Sequence, residues 1–470
     1  MLQNADRAGW RPIITPLPAK ADDHVAIVGG GFSGTLLAIN LLRHDGPRVT
    51  LIERRHGQVA RGVAYSAAHA HHLLNVRAAN MSALPDDPSH FVRWLEARGA
   101  GDAGSFVPRT LYGEYLRDLL DQARGIGGDR LRIIADEACD IADASGGVTI
   151  RLRDDADIHA DYAVLAVGNL PPHTPPGIDP DDLSADAYRA DPWAGDLADD
   201  LVGDDTVLLL GTGLTAIDAA LLLDAGGFAG KIVALSRRGL RPRSHAAGIA
   251  AQDLREKPAT ALSHLVRSVR DEARMHGWRA AVDALRPITQ MLWSGADDAT
   301  RARFLRHLRP YWDVHRHRLA PQVAETIDAM VASGRLRFVA GKIAASSMQR
   351  GGARVMFRPR CDRAMQHLDV RRIINCTGPQ GDLTRSDDPL LRTLLANGTV
   401  RPDTLHLGLD VDASSRVVMA SGAPHDRLFA VGPMTRGGLW EVVAVPDLRV
   451  QTWTLARRLS NAHWVGGEGL

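Results

Sequence analysis

The sequence predicts an α/β fold with two parallel-sheet domains, and three observations predict it. A glycine-rich turn follows a short apolar run at Gly29–Gly34, and a second follows another such run at Gly211–Ala216. Each turn leads into a helix-length apolar stretch. Three further apolar runs end in glycine, at Gly168, Gly378 and Gly432. A run that is apolar at every position suits a strand covered on both faces, the condition of strands in a parallel sheet flanked by helices.

The first turn has the more complete pattern. Val25-Ala26-Ile27-Val28 reads as a strand, Gly29-Gly30-Gly31-Phe32-Ser33-Gly34 as G-x-G-x-x-G, and Thr35 to Leu42 as a helix. Gly29 permits a tight turn, Gly31 lets a pyrophosphate approach the backbone, and Gly34 lets helix and strand pack closely. The helix then offers unpaired N–H groups and a positive dipole end to phosphate. A second run, Val49-Thr50-Leu51-Ile52, ends in Glu53, nineteen residues after Gly34. A carboxylate there accepts ribose hydroxyls and repels a 2′-phosphate. Gly29, Gly31, Ser33, Gly34, Glu53 and its neighbour Arg54 are the expected residues of a first dinucleotide site.

The pattern recurs after Val207-Leu208-Leu209-Leu210, as Gly211-Thr212-Gly213-Leu214-Thr215-Ala216, with alanine in place of the last glycine. The next strand, Ile232-Val233-Ala234-Leu235, ends in Ser236-Arg237-Arg238 instead of an acid. Arginine forks clamp phosphate with charge-assisted bonds, so this end suits NADPH; a solvated basic turn is the competing reading. Gly211, Gly213, Leu214, Thr215, Ala216, Ser236, Arg237 and Arg238 are the expected NADPH residues.

The order of these features resembles the two-dinucleotide-binding flavoproteins, a superfamily that includes the class B flavin monooxygenases. Within it, several phrases are similar to a bacterial FAD/NAD(P)-binding protein family: Arg61-Gly62-Val63-Ala64-Tyr65, His72-Leu73-Leu74-Asn75-Val76, Met81-Ser82, Phe106-Val107-Pro108-Arg109 with Tyr112-Gly113, Arg309 to Arg316, and Trp440-Glu441 with Val445-Pro446. The resemblance implies two Rossmann-like domains, FAD in the first site with Gly168, Gly378 and Gly432 as later contacts, and NADPH in the second. It places Asn75, Met81, Ser82 and Arg109 near the flavin ring. The Phe-x-Gly-x-x-x-His signature of the better-known monooxygenases is missing from the linker at Asp191–Gly195.

From this pattern we expect an arm over 1–21, an FAD domain in two segments (22–170 and 340–460), an NADPH domain over 171–339 with a helical insert at 245–333, and a tail over 461–470. Pro287 and Pro310 divide the insert into short helices. Its basic section, with Arg301, Arg303, Arg306, Arg309, Arg316 and Arg318 against Asp313, reads either as a solvated or subunit-facing surface or as a wall that attracts an acidic substrate or helps hold the NADPH phosphates. The expected metal content is none, since His69, His71 and His72 lack nearby carboxylates.

The near-neutral net charge of +1 argues against nucleic-acid and membrane-surface partners. The expected compartment is the cytoplasm, and the oligomeric state is left open. Cys139, Cys361 and Cys376 form no Cys-x-x-Cys pair, so a dithiol acceptor at that spacing is excluded. Hydride transfer between cofactors needs no protein acid or base. The expected reaction is NADPH-dependent monooxygenation, by molecular oxygen through a C4a-(hydro)peroxyflavin, of a small polar substrate bearing an amine or carboxylate. An NADPH-dependent reductase or dehydrogenase, and an FAD/NADPH-binding sensory protein, are the alternatives.

Overall fold

The computed structural model describes residues 23–43, 46–66, 69–246 and 261–460. The expected arm and tail, and residues 247–260 of the insert, lie outside them. Two parallel-based sheets carry the fold. In spatial order the first runs Arg416–Val418, Pro424–Ala430, Tyr162–Leu165, His24–Val28, Arg48–Ile52, Leu131–Ile134, and all its pairs are parallel except the first. Val25, Ile27, Val49 and Leu51 face the helices Phe32–Leu42, Arg109–Gly127 and Val445–Leu459. Ala26, Val28, Ile52 and Leu165 face an antiparallel three-stranded sheet, Ala138–Ala144, Gly147–Leu152 and Asp157–Ala160. Both faces are therefore covered, which is why these strands are apolar throughout.

The second sheet runs Gln366–Val370, Gly352–Pro359, Leu336–Gln349, Lys231–Ser236, Thr206–Leu210, Arg372–Asn375, Tyr188–Arg189. This corrects the expected boundary at 339/340, which falls inside the strand Leu336–Gln349. Residues 336–340 pair in parallel with Lys231–Ser236, and the strand continues past the sheet edge as an antiparallel partner of Gly352–Pro359. Arg372–Asn375 then pairs beside Thr206–Leu210. The chain re-enters the first unit only after this strand, and an isolated bridge between Leu170 and Gln380 marks the two crossings.

The insert folds as Leu262–His276, Trp278–Leu285, Thr289–Ser294, Asp298–His307 and Arg309–Arg316. Pro287 sits in a 3₁₀ turn between two of these helices and Pro310 in the first turn of the last, where a missing N–H costs nothing. The helix Pro321–Ala332 belongs to the sheet crossover, with Val323, Ile327 and Met330 in the second core. The insert leans across onto the last segment of the first unit. Trp293 stacks on Trp440 at 4.5 Å and donates to the Gly437 carbonyl at 2.8 Å, while Trp312 donates to Glu441 at 2.8 Å. No helix among the described residues is long and apolar enough to cross a membrane.

Histidines hold the seam between the units. His72 contacts the Asp218 carbonyl at 3.1 Å, His245 the Asn75 carbonyl at 3.0 Å, and His317 the Glu441 carboxylate at 3.7 Å. Burial lowers the pKa of all three below 6.5, outweighing the opposing pull of Asp218 on His72, of the Asn75 carbonyl on His245 and of Glu441 on His317. Below 6.5 the unfolded chain binds more protons than the folded one, so stability is present above that pH and lost as pH falls through it. The thermal midpoint should drop between pH 7.5 and 5.5, and by less in a His72→Gln/His245→Gln variant; equal drops would exclude these histidines as the cause. The packing of Gly34 gives a second expectation. A Cβ there would overlap the Gly29 carbonyl oxygen, so Gly34→Ala should cost about 1–3 kcal/mol in urea unfolding. Gly57→Ala, whose Cβ meets nothing within 4 Å, should stay within about 0.5 kcal/mol.

Candidate functional site

Two glycine turns of near-identical construction lie at the carboxyl edges of the two sheets. Gly29 has φ +108° and Gly211 φ +123°. A Cβ on Gly29 would overlap the Ala166 carbonyl, and one on Gly211 the Cys376 carbonyl. In each case the first strand's turn crosses directly over the end of the returning strand. The helices that follow start at Phe32 and Leu214 with Gly31 and Gly213 at their N-caps, and no side chain caps either one. Apart from Ala216, whose N–H donates to the Gly213 carbonyl at 3.0 Å, their first-turn N–H groups are the ones a helix leaves without intrahelical acceptors and offers to an anion.

At the first turn the floor is bare backbone. A Cβ on Gly31 would meet nothing closer than the Cα of Gly62, at 3.4 Å. Gly62 itself has φ +57°, and its own Cβ would lie 3.3 Å from the Cα of Gly31. Glu53 is buried at the end of its strand, where Oε2 accepts from the Gly30 N–H at 2.8 Å and Oε1 from the Arg55 N–H at 2.9 Å. Each oxygen keeps a lone pair for a ribose hydroxyl. Arg54 turns to Glu137 and Asp388, at 3.0 and 3.1 Å, and is thereby occupied. Gly432, at φ +93°, sits against Ser33, whose Oγ would be 2.9 Å from an added Cβ. The Gly432 N–H donates to Gln451 at 2.8 Å, and Gln451 donates in turn to Thr435 at 2.9 Å. Gly168 is at φ +72° with no atom within 4 Å of a Cβ position. Gly378 was expected with FAD; it follows the strand Arg372–Asn375 and therefore lies at the edge of the second sheet. Its pattern copies that of Gly168 because each closes a half of the same design.

Of the residues expected around the flavin ring, three are engaged in holding the protein together. Met81 is buried in the first core. The Ser82 hydroxyl donates to the Asp87 carbonyl at 2.6 Å. Arg109 pairs with Asp218 of the second fingerprint helix at 2.9 Å, both largely buried, and so joins the two units. Asn75 is half-buried at the same seam. The phrases around these residues have a packing basis. A Cβ on Gly113 would lie 2.9 Å from Arg61 Cδ and from the Tyr65 carbonyl, and Tyr65 packs on Tyr112 at 4.8 Å.

At the second turn, Ala216 is buried and Gly213 exposed with free space around it. Leu214 and Thr215 open the helix beside them. Ser236 and Thr212 share a hydrogen bond at 2.9 Å, and the Gly239 N–H donates to Ser236 at 3.0 Å, so the strand end is tied to the turn. Arg237 is exposed, and it borders a cleft of about 350 Å³ with Gly341, Lys342, Arg358, Pro359 and Arg360 at its walls. Arg238 reaches the Tyr311 hydroxyl at 3.2 Å.

The basic section of the insert is not a free cationic wall. Arg318 is buried on Asp283, Arg316 pairs with Glu441 at 3.1 Å, Arg309 with Asp313 at 3.4 Å, and Arg301 donates to the Trp293 carbonyl. Sequence reasoning missed Gly30, Gly62, Gln451 and Asp218, together with the cations at 342–363. The density of arginine in that stretch is visible in the sequence, and the strand Leu336–Gln349 with its hairpin partner joins it to the second sheet. Among the described residues, no group of three His, Cys, Asp or Glu side chains is poised for a metal ion.

Residues 26–170 match a family model described as FAD-NAD(P)-binding. No curated protein sequence matches the chain. Solved structures do. An ornithine N-hydroxylase from Kutzneria sp. 744, described with reduced FAD, NADP⁺ and L-ornithine, is 16% identical with a TM-score of 0.64, covering 94% of this chain and 99% of its own. L-lysine 6-monooxygenase from Pseudomonas syringae is also 16% identical at 0.64, covering 93% and 99%. A cadaverine monooxygenase from Erwinia amylovora, bound to FAD, is 12% identical at 0.66, covering 94% and 95%. The fold of this chain is the one these three solved structures share, with two Rossmann-like parallel-sheet units and a helical insert.

Proposed function

We propose that this chain is an FAD-dependent, NADPH-using monooxygenase that hydroxylates a small amine. The observation that carries the reading is the pair of uncapped glycine turns in one chain, one ending at a carboxylate, Glu53, and the other at a cation, Arg237. Similarity of fold to three amine hydroxylases over more than nine-tenths of the chain supports the reaction class.

The residues present fit the two groups. Gly31 and Gly62 leave open backbone for a pyrophosphate, Glu53 keeps acceptors for ribose hydroxyls, and Gly432, held by Gln451, closes the turn from the far side. Gly213, with Ser236 and Arg237 beyond it, offers the equivalent cradle to a phosphorylated dinucleotide. When bound, FAD supplies the hydride acceptor and the chemistry that activates oxygen. The protein contributes alignment and exclusion of water, for which the Trp293–Trp440 stack and the Trp312–Glu441 bond draw the insert over residues 437–441. A disulfide acceptor fits poorly. Cys376, nearest a glycine turn, is buried in the second core, and burial pushes its thiol pKa far up.

Purified protein should be yellow and release FAD on denaturation; NADPH should bleach it without oxygen. With air readmitted, oxygen uptake should rise with a diamine or basic amino acid from a substrate panel, and a hydroxylamine should form. NADPH oxidation with no hydroxylated product from any amine would replace this reading with a reductase. Gly432→Ala, which pushes a Cβ onto Ser33, should lower FAD occupancy at least tenfold at equal protein concentration; full occupancy would remove Gly432 from the site.

A further inference from the structure

We propose that the 2′-phosphate of NADPH is held in the cleft between Arg237 and the antiparallel extension, chiefly by Lys342, Arg358 and Arg360, and that Arg238 fastens the helical insert instead. This rests on the nicotinamide-dinucleotide reading of the second turn.

Position is the first support. The ribose end of a dinucleotide-binding half lies where its second strand stops, here at Ser236, which is bonded to Thr212 of the glycine turn. Ser236 pairs in register with Ala340, so Gly341 and Lys342 are the next residues past the same edge. The turn over residues 236–239 lies directly on that neighbouring strand. Gly239 is at φ +62°, and a Cβ there would be 2.9 Å from the Ala340 nitrogen. The Arg360 N–H donates to the Ala340 carbonyl at 2.9 Å, which brings the far strand's cations to the same place. The strand Leu336–Gln349 continues beyond the edge and is paired there, so it forms a wall beside the ribose position.

Charge is the second. The cleft holds Arg237, Lys342, Arg358, Arg360 and Arg363 against one carboxylate, Asp362. Among the described residues none of those five cations has an ion pair within 4.0 Å, and Asp362 accepts from the Ala364 N–H at 2.9 Å. Two other cations of the second unit are matched: Arg241 with Asp328 at 2.6 Å and Arg354 with Asp369 at 2.6 Å. A group of unpaired like charges in a concave site of about 350 Å³ raises a strong local positive potential, which a dianionic phosphate relieves. Size also suits, since ligand clefts start at about 300 Å³.

Arg238 is the third. Its guanidinium lies 5.1 Å from the Tyr311 ring centre and donates to the Tyr311 hydroxyl at 3.2 Å. Tyr311 belongs to the insert helix Arg309–Arg316, so Arg238 ties the strand end to the insert and is turned from the cleft.

The test is calorimetric titration of the intact flavoprotein with adenosine 2′,5′-bisphosphate and with 5′-AMP, which differ only in the 2′-phosphate. Wild type should prefer the bisphosphate at least tenfold. Lys342→Ala and Arg360→Ala should each lower that preference about tenfold, the size of one charge-assisted hydrogen bond. Arg238→Ala should keep it within about twofold, with thermal melts confirming that each variant folds. The proposal is overturned if wild type shows no preference, if the Lys342→Ala/Arg360→Ala double variant keeps it, or if Arg238→Ala abolishes it. Flavin bleaching of wild type by NADPH or NADH is scored separately. Bleaching without a 2′-phosphate preference sinks the cleft and leaves the oxidoreductase standing; preference without bleaching does the reverse.

Discussion

Two carbonyl oxygens, on Ala166 and Cys376, occupy the positions where Gly29 and Gly211 would carry side chains. Each contact lets the turn after the first strand fold flat over the end of the strand that returns beside it. Only with that approach does the following helix start at the sheet edge with its N–H groups facing outward. Any larger residue at either place would lift the turn, displace the helix and close the anion position. The rest of the site is arranged around this constraint. Glu53 fixes the first turn by accepting from Gly30, and Ser236 fixes the second through Thr212.

How much of this could be read from the sequence follows from how local each feature is. Gly29, Gly31, Gly34 and Glu53 lie within twenty-five residues of one another and follow a strand–helix–strand rhythm, so the local fold around them is legible in the sequence. Gln451 was not, because it meets Gly432 only when the helix Val445–Leu459 docks on the first sheet. Asp218 looks like any residue of an apolar helix until Arg109, more than one hundred residues earlier, is found opposite it. The boundary near 340 was misplaced for a physical reason as well. A strand normally ends at its sheet edge, whereas Leu336–Gln349 runs on and changes from parallel to antiparallel pairing. That one strand carried the arginines of 354–363 into a different unit from the expected one.

Resemblance and chemistry also diverge at several phrases. Arg61 to Tyr65 and Tyr112–Gly113 come together as one packed contact, with Gly113 small enough to admit Arg61 and the Tyr65 backbone. Arg109 and Ser82 likewise act through structure, one across the seam and the other within a turn. The insert's arginines, which as a string read as an exposed basic face, are mostly consumed in internal pairs such as Arg318 with Asp283. Among the described residues, the cations gathered at one cleft without an ion pair within 4.0 Å stand elsewhere, at Arg237 and on a hairpin whose residues alternate too loosely to announce a site.

The order of strands in the first sheet has a consequence for how the chain matures. Tyr162–Leu165 lies between His24–Val28 and Pro424–Ala430, yet its second neighbour is made about 260 residues later. The second unit, by contrast, is contiguous from Tyr188 to Asn375. During synthesis it can complete its sheet while Val164 and its neighbours still present an open apolar edge. The nascent first unit is thus the aggregation-exposed partner, and it becomes a closed domain only after the second unit has left the ribosome.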